Sequence, residues 1–139
     1  MIESVLEEEL LEALSSDDDS CYNIKRMYTK EDMLSMVQIL DQRNRICKCL
    51  FYEDGDRLSN ISVYNPLTGK EIKNITYRAD GKTICSVREY NILTEKLLNV
   101  IFFKPDGKSP SSIIEYNDSG DETQFTIFDE SGVAQTHCI

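Results

Sequence analysis

The chain has 139 residues, of which 40% are apolar and 29% charged, and a formal net charge of −10. That is a soluble globular balance at ordinary single-domain length, enough to bury a modest core without disulfides or metals. Charge of this sign argues against non-specific binding to nucleic acid or to an anionic membrane, both of which need a basic surface.

Ile2, Val5, Leu6, Leu10, Ala13 and Leu14 recur at three- and four-residue spacing with glutamates between them. This predicts a helix over 2–14 whose early acids suit the helix dipole. No basic stretch precedes these apolar residues, as a secretory signal requires, and no apolar run reaches transmembrane length. Five cysteines (Cys21, Cys47, Cys49, Cys85 and Cys138) include no C-x-x-C pair. The expectation is reduced thiols in a cytoplasmic protein, or in one exported by a signal-independent route. Residues 15–20, Ser-Ser-Asp-Asp-Asp-Ser, then read as an acidic linker.

Thr29 is a natural N-cap with Asp32 three residues on, and Met33, Met36, Val37 and Leu40 follow at i, i+3, i+4 and i+7. This spacing predicts a second helix over 30–43, stopped at Asn44.

From residue 46 the period changes to two and the sequence repeats. Asp54-Gly55, Asp80-Gly81 and Asp106-Gly107 recur at an interval of 26, as do Tyr64-Asn65, Tyr90-Asn91 and Tyr116-Asn117. Phe51, Tyr77 and Phe103 keep the interval too, and the fourth unit arrives one residue early because its preceding loop is shorter. Each unit reads as two strands joined by an Asp-Gly turn, with a Tyr-Asn loop leading into the next. Hairpins of this kind become stable by stacking side by side. The expectation is seven or eight consecutive antiparallel strands, near 46–52, 58–64, 71–78, 84–90, 97–104, 111–116, 123–128 and 133–138. Cys49, Phe51, Ile61, Ile75, Tyr77, Val87, Ile101, Phe103, Ile113 and Phe128 are expected on one face. Leu50, Ser62, Thr76, Arg88, Phe102, Ile114 and Ile127 are expected on the other. With the 30–43 helix as a lid, the fold class is α+β: N-terminal helices, then a β-meander covered on one face by a helix. The division is 1–45 helical and 46–139 β-hairpin repeat.

The run Tyr-Asn-Pro-Leu-Thr-Gly-Lys-Glu-Ile-Lys-Asn-Ile-Thr-Tyr-Arg-Ala-Asp-Gly-Lys-Thr-Ile-Cys-Ser-Val-Arg-Glu-Tyr-Asn over 64–91 resembles a repeat domain of unknown function best represented in wall-less bacteria. More distantly it is similar to MORN-like and tyrosine-aspartate (YD) repeats, and some MORN-like proteins of this size are described as antitoxins. The resemblance implies a repeat fold and carries over no catalytic residue.

The remaining residues give candidates for binding. Cys47 and Cys49, with Cys85 nearby and His137-Cys138 at the C-terminus, form a conceivable zinc set. They lack the paired knuckles of structural zinc sites, so structural thiols are expected. His137, the only histidine, sits where chain ends fray and is a poor catalytic base. Asp54, Asp80, Asp106 and Asp129-Glu130 form a row of turn carboxylates, which Asp-Gly turns require in any case. Asp17-Asp18-Asp19 lacks the spaced ligands of a calcium loop. No Walker loop, G-x-G-x-x-G, H-E-x-x-H or G-x-S-x-G is present. No catalytic residue, cofactor or metal is therefore expected. The expected role is a non-enzymatic protein-binding module, with Tyr64, Tyr90, Tyr116, Asp80, Asp106 and Arg88 as partner-binding residues. The alternative is an acidic immunity, antitoxin or host-directed effector protein that blocks a basic partner by binding it. Neither nucleic acid nor membrane is expected as a partner. Self-association is expected, if at all, through residues 2–14 or through an edge strand.

Overall fold

Period-two structure is already present at Asn23, well before residue 46. The computed structural model describes residues 23–138. Ten antiparallel strands lie side by side in chain order in one sheet. They are β1 (Asn23–Tyr28), β2 (Leu34–Leu40), β3 (Ile46–Glu53), β4 (Arg57–Tyr64), β5 (Glu71–Tyr77), β6 (Ile84–Tyr90), β7 (Leu97–Phe103), β8 (Pro110–Tyr116), β9 (Glu122–Phe128) and β10 (Ala134–Cys138).

The helix expected over 30–43 is a hairpin turn followed by β2, and no helix occurs among the described residues. The α+β reading with a covering helix is thereby corrected to all-β. The error has a local cause. Met27 pairs with Met36 and Tyr28 with Leu34, so Ser35 is an extra, bulged residue. The bulge returns Leu34 to the face that Val37 and Ile39 occupy, and all three are buried. The stripe Met33, Met36, Val37 and Leu40 instead mixes a turn residue with both faces of β2, Met36 and Leu40 on one and Val37 on the other. Apolar residues on both faces of a strand can fall at helical spacing. Thr29 does cap, but it caps a turn. Its hydroxyl accepts hydrogen bonds from the amides of Glu31 (3.3 Å) and Met33 (3.2 Å). The helix expected over 2–14 and the linker over 15–20 lie outside the described residues.

Counting β1–β2, the described chain holds five hairpins. Tyr28, Tyr52, Tyr77, Phe103 and Phe128 occupy equivalent places, opposite Leu34, Leu58, Ile84, Pro110 and Ala134. Their spacing of 24, 25, 26 and 25 residues explains why the first hairpin escapes a search for a fixed period of 26. Tyr52 rather than Phe51 is the equivalent of Tyr77, and this moves β3 by one residue. Leu50 joins the row Val37, Ile61, Ile75, Val87, Ile101 and Ile113 through direct cross-strand pairs. Cys49 and Phe51, expected on that face, point to the other, since a one-residue slip exchanges faces. The tightest core lies over β2–β4, formed by Leu34, Val37, Ile39, Leu50, Tyr52 and Leu58.

The hairpins also lock at their turns. Arg57 Nη1 donates to Ala79 O (3.1 Å) and Arg78 Nη2 to Phe103 O (2.8 Å), and Lys104 Nζ donates to Asp129 O. Each cation thus ties one hairpin to the next. Among the described residues no helix is long and apolar enough to cross a membrane.

Candidate functional site

The two kinds of connection put different chemistry at the two ends of the sheet. At the Asp-Gly end, the carboxylates serve their own turns. Asp80 accepts from the amides of Lys82 and Thr83 (both 2.9 Å) and from the Thr83 hydroxyl. Asp106 accepts from the amides of Lys108 and Ser109 (both 2.8 Å) and from Ser109 Oγ (2.6 Å). Hydrogen bonds from these hydroxyls and amides hold both acids down to about 2.

At the other end the Tyr-Asn loops are fixed in the same way. Asn65 Oδ1 accepts from the Leu67 amide (3.0 Å), and Asn91 Oδ1 from the amides of Leu93 (2.8 Å) and Thr94 (3.0 Å). The backbone closes around them through Gly69 N to Asn65 O and Glu95 N to Asn91 O, both 2.8 Å. The Thr68 and Thr94 hydroxyls accept from the amides of Lys70 and Lys96. With the loop's asparagine and threonine committed to its own backbone, the intervening apolar residues point outward. Leu67 is 80% exposed, Leu93 91% and Ile92 59%. The two loops sit two strands apart, about 10 Å across the sheet. The sequence carried a signal for this patch: leucines at matching places inside loops that share an asparagine and a threonine.

Tyr64, Tyr90 and Tyr116 end β4, β6 and β8 at this same end. All three are half-buried on the face opposite the Leu50 row. Burial pushes the Tyr64 phenol up, beside Ser62 and Cys49. Burial and the nearby Glu71 carboxylate do the same to Tyr90. Arg88 lies on that face two residues before Tyr90, opposite Asn74 and Val100. The structure therefore groups Arg88 with the tyrosines. It leaves Asp80 and Asp106 at the far end of the strands, about 20 Å away for a seven-residue strand. A hollow of about 460 Å³ beside Tyr64 is lined by Met36, Arg45, Ile46, Cys49, Phe51 and Pro66, among others.

The cysteines are not brought together. Cys47 bulges between Ile46 and Lys48, and Cys49 is buried with its thiol pushed up by desolvation. Cys85 is on β6, three strands from β3, or about 14 Å. Cys138 is exposed on β10 beside His137. Among the described residues no group of three or more His, Cys, Asp or Glu is placed to hold a metal ion. Cys21 and Asp17-Asp18-Asp19 lie outside the described residues.

A family model described as a protein of unknown function (DUF2963) matches residues 51–99 and again residues 80–127. The tandem matches agree with a repeat domain of unknown function. A comparison with curated proteins finds no match. Solved structures share the fold. A mutant of S. aureus TarM, in complex with fondaparinux, α-GlcNAc-glycerol and UDP, superposes with a TM-score of 0.57 at 12% identity, over 94% of this chain and 23% of that one. A second TarM structure gives 0.56 at 12% identity, over 95% and 23%. A GtfA/B complex bound to UDP and GlcNAc gives 0.57 at 10% identity, over 88% and 25%. The chain thus spans about a quarter of the length of these solved chains.

Proposed function

The chain belongs to the family of proteins of unknown function DUF2963, and on that premise we propose that it is a non-enzymatic protein-binding module whose recognition surface is the Tyr-Asn end of the sheet. The observation that carries this reading is the exposure of Leu67, Ile92 and Leu93 on two neighbouring loops held by their own hydrogen bonds. Solvated apolar side chains gain about 25 cal/mol per Å² when a partner covers them. Loops already fixed lose little further entropy on binding. Tyr64, Tyr90 and Arg88 beside them are residue types that dominate binding energy at interfaces. The likeness to TarM and GtfA/B covers about a quarter of those chains and is one of fold alone. At 10–12% identity it gives no ground for carrying over their UDP or sugar ligands.

Affinity capture with the wild-type chain and a Leu67→Asp/Leu93→Asp variant tests the reading. A partner held by the wild type through a high-salt wash and lost by the variant, at unchanged melting temperature, is the expected result. An identical captured set with both chains would refute the loop surface. The alternative, blockade of a basic partner by an acidic immunity, antitoxin or effector protein, draws on the last hairpin. There Asp118, Asp121, Glu122, Asp129 and Glu130 stand with no Lys or Arg. Capture that disappears in the high-salt wash would favour that alternative.

A further inference from the structure

Net charge is unevenly distributed along the chain. Residues 1–22 hold eight of the 25 acids and no base, so residues 23–139 carry 17 acids against 15 bases. Within the sheet the first and last hairpins differ in charge. Residues 23–45 hold five bases (Lys25, Arg26, Lys30, Arg43 and Arg45) against three acids. Residues 117–138, at the opposite edge, hold five acids and no Lys or Arg. Among the described residues no strand pairs with the outer side of β1 or β10. β10 is exposed along its whole length and lacks the lysine, proline or bulge with which edge strands are commonly protected.

We propose that the β1 edge of one copy of this chain pairs with the β10 edge of a second copy, head to tail, in the register that continues the repeat. Like edges repel: β1 against β1 sets Lys25 and Arg26 against their copies, and β10 against β10 brings two acidic hairpins together. Among the described residues, only the unlike pair is electrostatically complementary. The repeat supplies the register. At successive junctions Ile39 faces Lys48, Val63 faces Lys73, Glu89 faces Asn99 and Glu115 faces Gln124. Cys138 occupies the place of Glu115, because it pairs with Gln124 as Glu115 pairs with Asn99. Ile24 occupies the place of Lys73, four residues before its hairpin's Tyr28 as Lys73 is before Tyr77. The next junction therefore sets Cys138 opposite Ile24 of the second copy. Two places along, it sets Thr136 opposite Arg26, where the interior pairs Ile61 with Ile75. A polar pair at the centre of the row makes the contact weak and reversible. Because the contact is heterologous, it builds open chains rather than a closed dimer.

The test uses the full chain and stands apart from the loop reading, since it touches neither Leu67 nor Leu93. Sedimentation velocity at about 10 mM salt, where the Debye length is about 30 Å, should show species that grow with protein concentration. At about 1 M salt, where it is about 3 Å, association should weaken by at least about tenfold. A Lys25→Glu/Arg26→Glu variant with wild-type circular dichroism should stay monomeric at low salt. In an Ile24→Cys variant, a short bismaleimide should link position 24 of one copy to Cys138 of another, read by mass spectrometry of the joined peptides. A monomer at every concentration, association indifferent to salt, or links joining 24 to 24 or 138 to 138 in place of 24 to 138 would each overturn the proposal.

Discussion

Gly107 carries two constraints at once. Its φ of +71° lies in the left-handed region, and a Cβ there would fall 2.7 Å from Thr83 Cγ2 and 3.1 Å from the Ile84 amide of the preceding hairpin. Gly69 has a similar φ of +73° with nothing within 4 Å of its Cβ position. A Gly69→Ala change should therefore cost only the left-handed penalty, about 1 kcal/mol. Gly107→Ala should cost about 2–3 kcal/mol because the stacked turns must also separate, a difference that urea unfolding of the two variants resolves. Asp80 and Asp106 give the turns a pH dependence. Their folded values, about 2, lie below the ordinary 3.8, so the folded state favours their ionised form. Their stabilising contribution is fully present above about pH 4 and is lost as pH falls toward 2. Melting temperature should fall over that window, and an Asp80→Asn/Asp106→Asn variant should show a flatter fall. The sequence made this turn chemistry legible, because Asp-Gly between alternating strands has one economical reading.

At the scale of elements, the hairpin frame is legible and its departures are not. Ser35, Ser59 and Ser111 sit at the bulges and donate their hydroxyls to the carbonyls of Met27, Phe51 and Phe102, at 3.1 to 3.3 Å. The bulge recurs at Ser59, Cys85 and Ser111, 26 residues apart, but a small residue at that place does not by itself mark a bulge in the sequence. Its effect is large, since one extra residue reverses the alternation of faces. The loops show a milder departure. Glu95 occupies the place of Gly69 and adopts a φ of +64°, a conformation that costs an L-residue about 1 kcal/mol. Glu95→Gly should accordingly stabilise the protein by up to about 1 kcal/mol, less the added freedom of the unfolded chain. Chemical denaturation at neutral pH measures it.

At the scale of the whole molecule, the apolar row is confined to the middle of the described sheet. The apolar row from Val37 to Ile113 stops at Arg26 on one side and at Thr126 and Thr136 on the other. Polar residues at these outer positions leave less apolar surface for an edge-to-edge contact than the interior pairs bury. Burial is graded along the stack. Val37, Ile39 and Leu50 are almost wholly buried, the equivalent positions from β5 to β9 are less so, and β10 is exposed throughout. Amide hydrogen exchange should follow this grade, slowest in β2–β4 and fastest in β10. Equal protection across all ten strands would contradict it.

The sequence by itself determined the local units: the Asp-Gly turns, the Tyr-Asn loops, the antiparallel meander and the membership of Ile61, Ile75, Val87, Ile101 and Ile113 in one row. These depend on residues close together in the chain, where turn chemistry and period two act directly. Only the tertiary structure decided that a further hairpin precedes residue 46, which face β3 presents, and that Leu67 and Leu93 stand in solvent on neighbouring loops. Each of these depends on register between strands, and a single bulged residue, cheap in sequence, shifts that register by a whole face.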